Sequence, residues 1–166
     1  MVNTPLLSVR DLKTYFMMDE GVVKAVDGVT FDVSAGQIFG IVGESGCGKS
    51  VTMKAVLRIV EPPGKIVNGQ ILLNRKTQDG AGQVIDLAQL DANSKAMRDI
   101  RGAEIALIPQ EPMASFSPVH TIGDQIIEAI LLHQNVSKSE ARAIALQMFK
   151  DVGIPIPEQR LDEYSW

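Results

Sequence analysis

The clearest chemistry in the chain sits in eight consecutive residues, Gly43-Glu44-Ser45-Gly46-Cys47-Gly48-Lys49-Ser50. A glycine, four residues, Gly-Lys and then Ser is the P-loop pattern, a cradle for phosphate groups. The glycines let successive backbone N–H groups converge on an anion with no Cβ in the way, and the positive end of a following helix adds to that field. Lys49 supplies a point charge that can reach the outer phosphates of a nucleotide, and the Ser50 hydroxyl suits one ligand position around Mg²⁺. Cys47 reads as a small residue that fits the loop, with no redox role. A flexible Gly-Ser loop with a stray lysine is the bland alternative, and the flanking elements decide against it.

A phosphate cradle of this kind needs a strand leading in and a helix leading out. Gln37 to Val42 (QIFGIV) is an almost continuous apolar run, the pattern of a strand buried on both faces. From Lys49 to Val60 the residues Met53, Val56, Leu57 and Val60 recur at helical spacing, and Pro62-Pro63-Gly64 stops the helix. Upstream, Leu6 to Leu12 alternates in period two, and Val22 to Val33 holds two β-rich stretches around Asp27-Gly28. Downstream, Gly69 to Leu73 reads as a strand, and the polar stretch Asn74 to Gln83 reads as a loop or hairpin end. A short helix over Ala92 to Arg101 and a buried strand over Ile105 to Ile108 follow. Pro109 to Pro118 is a loop with three prolines.

Two amphipathic helices are expected near the C-terminal end. Ile122 to His133 places Ile122, Ile126, Ile127, Ile130 and Leu131 on one face. Ser137 to Glu140 is a capping box ahead of Ala141, Ile144, Ala145, Met148, Phe149 and Val152, with Gly153 and Pro155 as stop signals. The tail from Glu158 is polar and carries no clear element.

Composition narrows the class. The 166 residues are 45% hydrophobic, enough for a core, and Cys47 is the only cysteine, so a disulfide scaffold is excluded. A net charge of −4 argues against a nucleic-acid partner, which would call for clustered Lys and Arg. The opening MVNTPLLSVRDL has no basic segment followed by an apolar one, so the cytosol is the expected compartment.

Beyond the P-loop, three stretches carry a resemblance: LLSVRDLKTYF at 6–16, VVKAVDGVTFDVSAGQIFGIVGESGCGKSVT at 22–52 and IRGAEIALIPQEPMASFSPVHTIGDQI at 100–126. Together they resemble the ATP-binding subunits of ABC transporters, and within them the dipeptide, oligopeptide and nickel import group. The resemblance implies an α/β P-loop NTPase core with an N-terminal antiparallel β-subdomain and the start of a helical subdomain, the sheet being incomplete. Residues 1–110 would form the ATP-binding core and residues 111–166 the Q-loop and the beginning of the helical part. It implies ATP and Mg²⁺ as ligands, with nucleotide contacts at Phe16, Gly43, Glu44, Ser45, Gly46, Cys47, Gly48, Lys49, Ser50 and Val51. Phe16 matches the aromatic that stacks on adenine, Tyr15 being the neighbouring candidate. Gln110 matches the Q-loop glutamine, which contacts Mg²⁺ and the attacking water. Where this family usually has an aromatic before that glutamine, this chain has Pro109.

The implied partners are membrane subunits and a second ATP-binding subunit, at the cytoplasmic face of the inner membrane. The family's LSGGQ-type signature, Walker B aspartate, catalytic glutamate and switch histidine do not occur in these 166 residues. The expectation is therefore of nucleotide binding without turnover, and of apolar strand edges left unpaired. A non-catalytic nucleotide-binding regulatory module is the alternative reading.

Overall fold

The computed structural model describes residues 4–76 and 82–165. It divides into two compact units, residues 1–101 and 102–166.

The first unit is built on a four-stranded antiparallel sheet: β1 (Leu7–Met18), β2 (Gly21–Val33), β3 (Gly64–Lys76) and β4 (Gly82–Asp86), in the order β2-β1-β3-β4. β1 is central, pairing with β2 from Leu7↔Val33 to Met18↔Gly21 and with β3 from Leu7↔Leu73 to Phe16↔Gly64. Val9 enters the core, and a register shift at the left-handed Asp11 returns the chain so that Leu12 and Thr14 enter it too. Val22 to Val33 is one continuous strand, its register shifting opposite Val9 to Lys13 and again at Thr14 and Tyr15. Of the stretch Asn74 to Gln83, expected as a loop or hairpin end, residues 74–76 belong to β3 and 82–83 to β4, which pair antiparallel, and residues 77–81 lie outside the described residues.

Helix α1 (Lys49–Val56) packs against β1 and β2, burying Thr52, Ala55 and Val56. It stops four residues earlier than the apolar spacing suggests. Arg58 turns left-handed at φ 56°, and the Ile59 N–H donates back to the Lys54 carbonyl at 2.9 Å, closing the helix end. Helix α2 (Lys95–Ile100) is capped by Ser94, whose Oγ accepts from the Met97 N–H at 3.2 Å, and it buries Met97 and Ile100.

Two expected strands are absent. Residues 37–42 form no strand, and Ile38 and Val42 are 99% and 93% exposed. A strand buried on both faces is held by ladders on its edges. No described strand pairs with this segment, so its apolar side chains face solvent. What holds it is Phe39, whose ring stacks on Phe31 of β2 with centroids 5.3 Å apart. Residues 105–108 likewise form no strand, and Ile108 is 87% exposed.

The second unit is helical: α3 (Ile122–His133), α4 (Lys138–Asp151) and α5 (Pro157–Leu161). Its core joins Ile127 and Ile130 of α3, Ala141, Ala145 and Phe149 of α4, and Leu161 of α5. The expected capping box of α4 forms, and α3 carries a cap of its own. Thr121 Oγ1 accepts from the Asp124 N–H at 3.1 Å. Ser137 Oγ accepts from the Glu140 N–H at 3.3 Å, while Glu140 Oε2 accepts from the Ser137 N–H at 2.7 Å. Leu131, Met148 and Val152, expected on the packed faces, are exposed. The polar tail hides α5, whose single core residue, Leu161, is too sparse a signal for periodicity to reveal. The Ile122 N–H donates to the Glu163 carbonyl at 2.9 Å, tying the chain after α5 to the start of α3. Among the described residues, no helix is long and apolar enough to cross a membrane.

Candidate functional site

Residues 43–48 form a tight turn that delivers the chain into α1. Gly48, at φ 91°, is the N-cap of α1 and lies directly against the Ala25 carbonyl of β2, in space that a Cβ would need. Only glycine tolerates both the backbone angle and that approach. Thr52 fastens the junction from inside the helix, its N–H and Oγ1 donating to the Gly48 carbonyl at 2.9 and 3.0 Å. Gly43 closes the other side of the turn, where a Cβ would stand 2.7 Å from Cys47 Sγ.

Lys49 occupies the centre of the curl. Its ammonium donates to the Gly43 and Glu44 carbonyls at 2.7 and 2.6 Å, with Cys47 Sγ at 3.4 Å. The loop thus brings a cation and the N-terminus of an eight-residue helix to one place, with glycines where side chains would block an approaching anion. These residues fit a phosphate-bearing ligand. Glu44, Ser45, Cys47 and Ser50 are exposed around the curl, and Val51 is half-buried in the first turn of α1. The Ser50 hydroxyl is a suitable hard oxygen ligand for Mg²⁺. No cluster of three or more His, Cys, Asp or Glu able to hold a metal occurs among the described residues.

Phe16 belongs to the same unit. The seat of Gly48, Ala25, lies between Lys24 and Val26, which pair with Tyr15 and Thr14; Phe16 is the next residue along β1. The glycine-rich loop and the expected base-stacking aromatic therefore share one end of the sheet. Phe16 is half-buried, and its Cε1 approaches Gly64, where a Cβ would come within 2.8 Å. Tyr15 is otherwise engaged. Its hydroxyl donates to Asp27 Oδ1 at 2.6 Å, and the Lys24 ammonium sits 5.4 Å from its ring centroid. The hydrogen bond to Asp27 holds the phenol above its usual pKa, and the same bond, aided by Lys24 and Lys13, holds the Asp27 carboxyl below its own.

Gln110 lies in the second unit, exposed, at the bend before a 3-10 turn over Pro112–Ser115. The chain beyond it is fastened to α3 by Gln125, whose Oε1 accepts from the Ser117 N–H at 2.7 Å while Nε2 donates to the Ser117 and His120 carbonyls, each at 3.1 Å. Sequence reasoning passed over Ala25, Thr52 and Gln125. Thr52 and Gln125 could have been suspected as polar side chains placed to serve the loops before them, whereas a backbone carbonyl such as that of Ala25 leaves no residue-type signal.

Comparison with known proteins bears directly on this arrangement. The ABC transporter family profile matches residues 26–165. A probable peptide ABC transporter ATP-binding protein of Sinorhizobium fredii and a dipeptide transport ATP-binding protein of Bacillus subtilis are each 44% identical over 160 residues, 96% of this chain. A glutathione import ATP-binding protein of Escherichia coli is 42% identical over the same share. The chain spans 44% of the length of the first two and 25% of the third. Among solved structures, a dimeric bacterial ABC transporter cassette superposes with a TM-score of 0.74 at 19% identity, covering 95% of this chain and 61% of that one. The same cassette in a post-hydrolysis state, bound to ADP and Pi, gives 0.73. The α/β architecture with its antiparallel sheet is thus that of an ABC cassette, and the chain belongs to the ABC transporter family.

Proposed function

We propose that this chain is the nucleotide-binding part of an ABC importer for peptides or a related small solute, nickel included. The observation that carries the reading is the curled loop 43–48, which places the Lys49 ammonium at the N-terminus of α1 within a glycine-lined turn. The names of the peptide, dipeptide and glutathione relatives support the solute class. ATP phosphates take the loop N–H groups of 43–51 and the Lys49 charge, and Phe16 offers its ring to adenine. Stacking of a base on an aromatic contributes ~1–3 kcal/mol and needs little sequence precision.

Ser50 and Gln110 are the proposed Mg²⁺ contacts, with Gln110 also orienting the attacking water. Mg²⁺ bound there neutralises charge on the phosphate oxygens. Residues 1–110 act as the ATP-binding core, and 111–166 carry the Q-loop into the helical part. The proposed partners are membrane subunits and a second ATP-binding subunit, at the cytoplasmic face of the membrane. These 166 residues supply the phosphate cradle, one hydroxyl ligand and Gln110. Lacking a signature motif, a Walker B aspartate and a catalytic glutamate, they bind nucleotide without turning it over.

Titration calorimetry with ATP and Mg²⁺ tests the reading. Lys49→Ala removes a charge-assisted contact of about 1.5–3 kcal/mol, weakening binding about 10- to 100-fold. Equal affinity in the two proteins would sink the proposal. Phosphate release by the wild-type chain alone would sink the non-turnover part.

A further inference from the structure

A second cationic site lies at the C-terminal end of α1. The helix closes with Arg58 N–H donating to the Ala55 carbonyl at 3.0 Å and Ile59 N–H to the Lys54 carbonyl at 2.9 Å. The left-handed position of such a cap is ordinarily glycine. Here it is Arg58, at φ 56°. The corner is pinned by Arg101, whose Nε donates to the Leu57 carbonyl at 2.8 Å and whose Nη2 donates to the Arg58 carbonyl at 3.0 Å.

One donor of the Arg58 guanidinium, its Nε, is not satisfied by the protein. Arg58 Nε is buried and has no hydrogen-bond partner. The residue Arg58 lines a cavity of about 330 Å³ together with Val60, Gly64, Lys65, Ile66 and Ala92. The nearby carboxylate of Glu61 is taken by Lys54 at 2.8 Å. Neither Arg58 nor Lys65 has an ion-pair partner among the described residues. A buried donor without an acceptor is unfavourable, and an arginine in a conformation that favours glycine is unfavourable again. Both features sit on one cavity, beside a second cation.

We infer that this cavity binds the phosphate group of a small phosphate monoester or of a lipid headgroup. The Arg58 guanidinium brings charge and N–H donors to such a group, and Lys65 adds a compact charge against the second negative charge. Val60, Ile66 and Ala92 cover the apolar part that the phosphate carries. In this site the head group of Arg58 is what the ligand uses, while its backbone carries the left-handed strain.

The test is site-resolved NMR of the full chain titrated with glycerol 3-phosphate, paired with co-sedimentation on phosphatidylglycerol and phosphatidylcholine vesicles. The expected result is saturable shifts at the Gly64, Lys65, Ile66 and Ala92 amides. Shifts at Gly46 to Lys49 report the phosphate loop separately in the same spectra, so the two sites stand or fall independently. Arg58→Gly suits the left-handed backbone and should melt no lower than the parent, yet lose the corner shifts. Lys65→Gln should weaken them about tenfold. Corner shifts with the soluble ester identify a free phosphate monoester. Their absence, together with Arg58-dependent sedimentation on phosphatidylglycerol alone, identifies a lipid headgroup. A silent corner with both ligands, or an Arg58→Gly response equal to the parent's, would overturn the inference.

Discussion

Lys49 already has oxygen partners in its own loop, the carbonyls of Gly43 and Glu44. A phosphate that engages the ammonium exchanges those neutral acceptors for charged ones, so the gain at this position is one of charge more than of bond number. Cys47 provides a direct report on that exchange, because it is exposed and its Sγ lies 3.4 Å from the same ammonium. Alkylation of Cys47 by a maleimide, followed by mass spectrometry, should slow markedly when ATP and Mg²⁺ are added. In Lys49→Ala the protection should disappear at the same nucleotide concentration. Unchanged labelling of the wild-type chain in saturating ATP would show that nucleotide does not reach this loop.

At the scale of elements, α4 offers the most direct energetic test. Ser137 and Glu140 exchange hydrogen bonds across its first turn, and removing the cap with Ser137→Ala should cost about 1 kcal/mol, read as a lowered Tm of the helical signal. The Ser137 hydroxyl and N–H hold the Glu140 carboxyl below its usual pKa. A depressed carboxylate stabilises the fold above its unfolded pKa of roughly 4.3 and loses that contribution as pH falls through the folded value. Acidification below that region should therefore weaken α4, and Glu140→Gln should flatten the dependence. α3 was legible in the sequence from its apolar spacing, and α4 from that spacing together with the end signals at Ser137 and Gly153. Exposure of Leu131, Met148 and Val152 was not legible, since spacing assigns a face without saying how wide the packed stripe is. Nor was the early end of α1, because the left-handed turn falls on an arginine.

At the scale of the molecule, the antiparallel sheet and a glycine-rich turn entering α1 follow the sequence, while the lead-in run 37–42 forms no strand. Hydrophobic runs such as QIFGIV report that a segment wants burial; pairing depends on neighbours that local sequence does not name. Ile38, Val42 and Ile108 consequently lie open, an invitation to association. Light scattering should show mass rising with protein concentration, and Ile38→Asp with Val42→Asp should suppress it without lowering Tm. A concentration-independent monomer would refute this. The stack of Phe39 on Phe31 attaches the exposed lead-in to β2. With Gly48 seated on Ala25, the phosphate loop is thereby suspended from β2 at both of its ends, and β2 also pairs with Phe16 through Val23. The proposed base and phosphate contacts would then share a single support and be mechanically coupled. Phe31→Ala, which touches neither, should weaken ATP binding in titration calorimetry, and its effect should fail to add to that of Phe16→Ala.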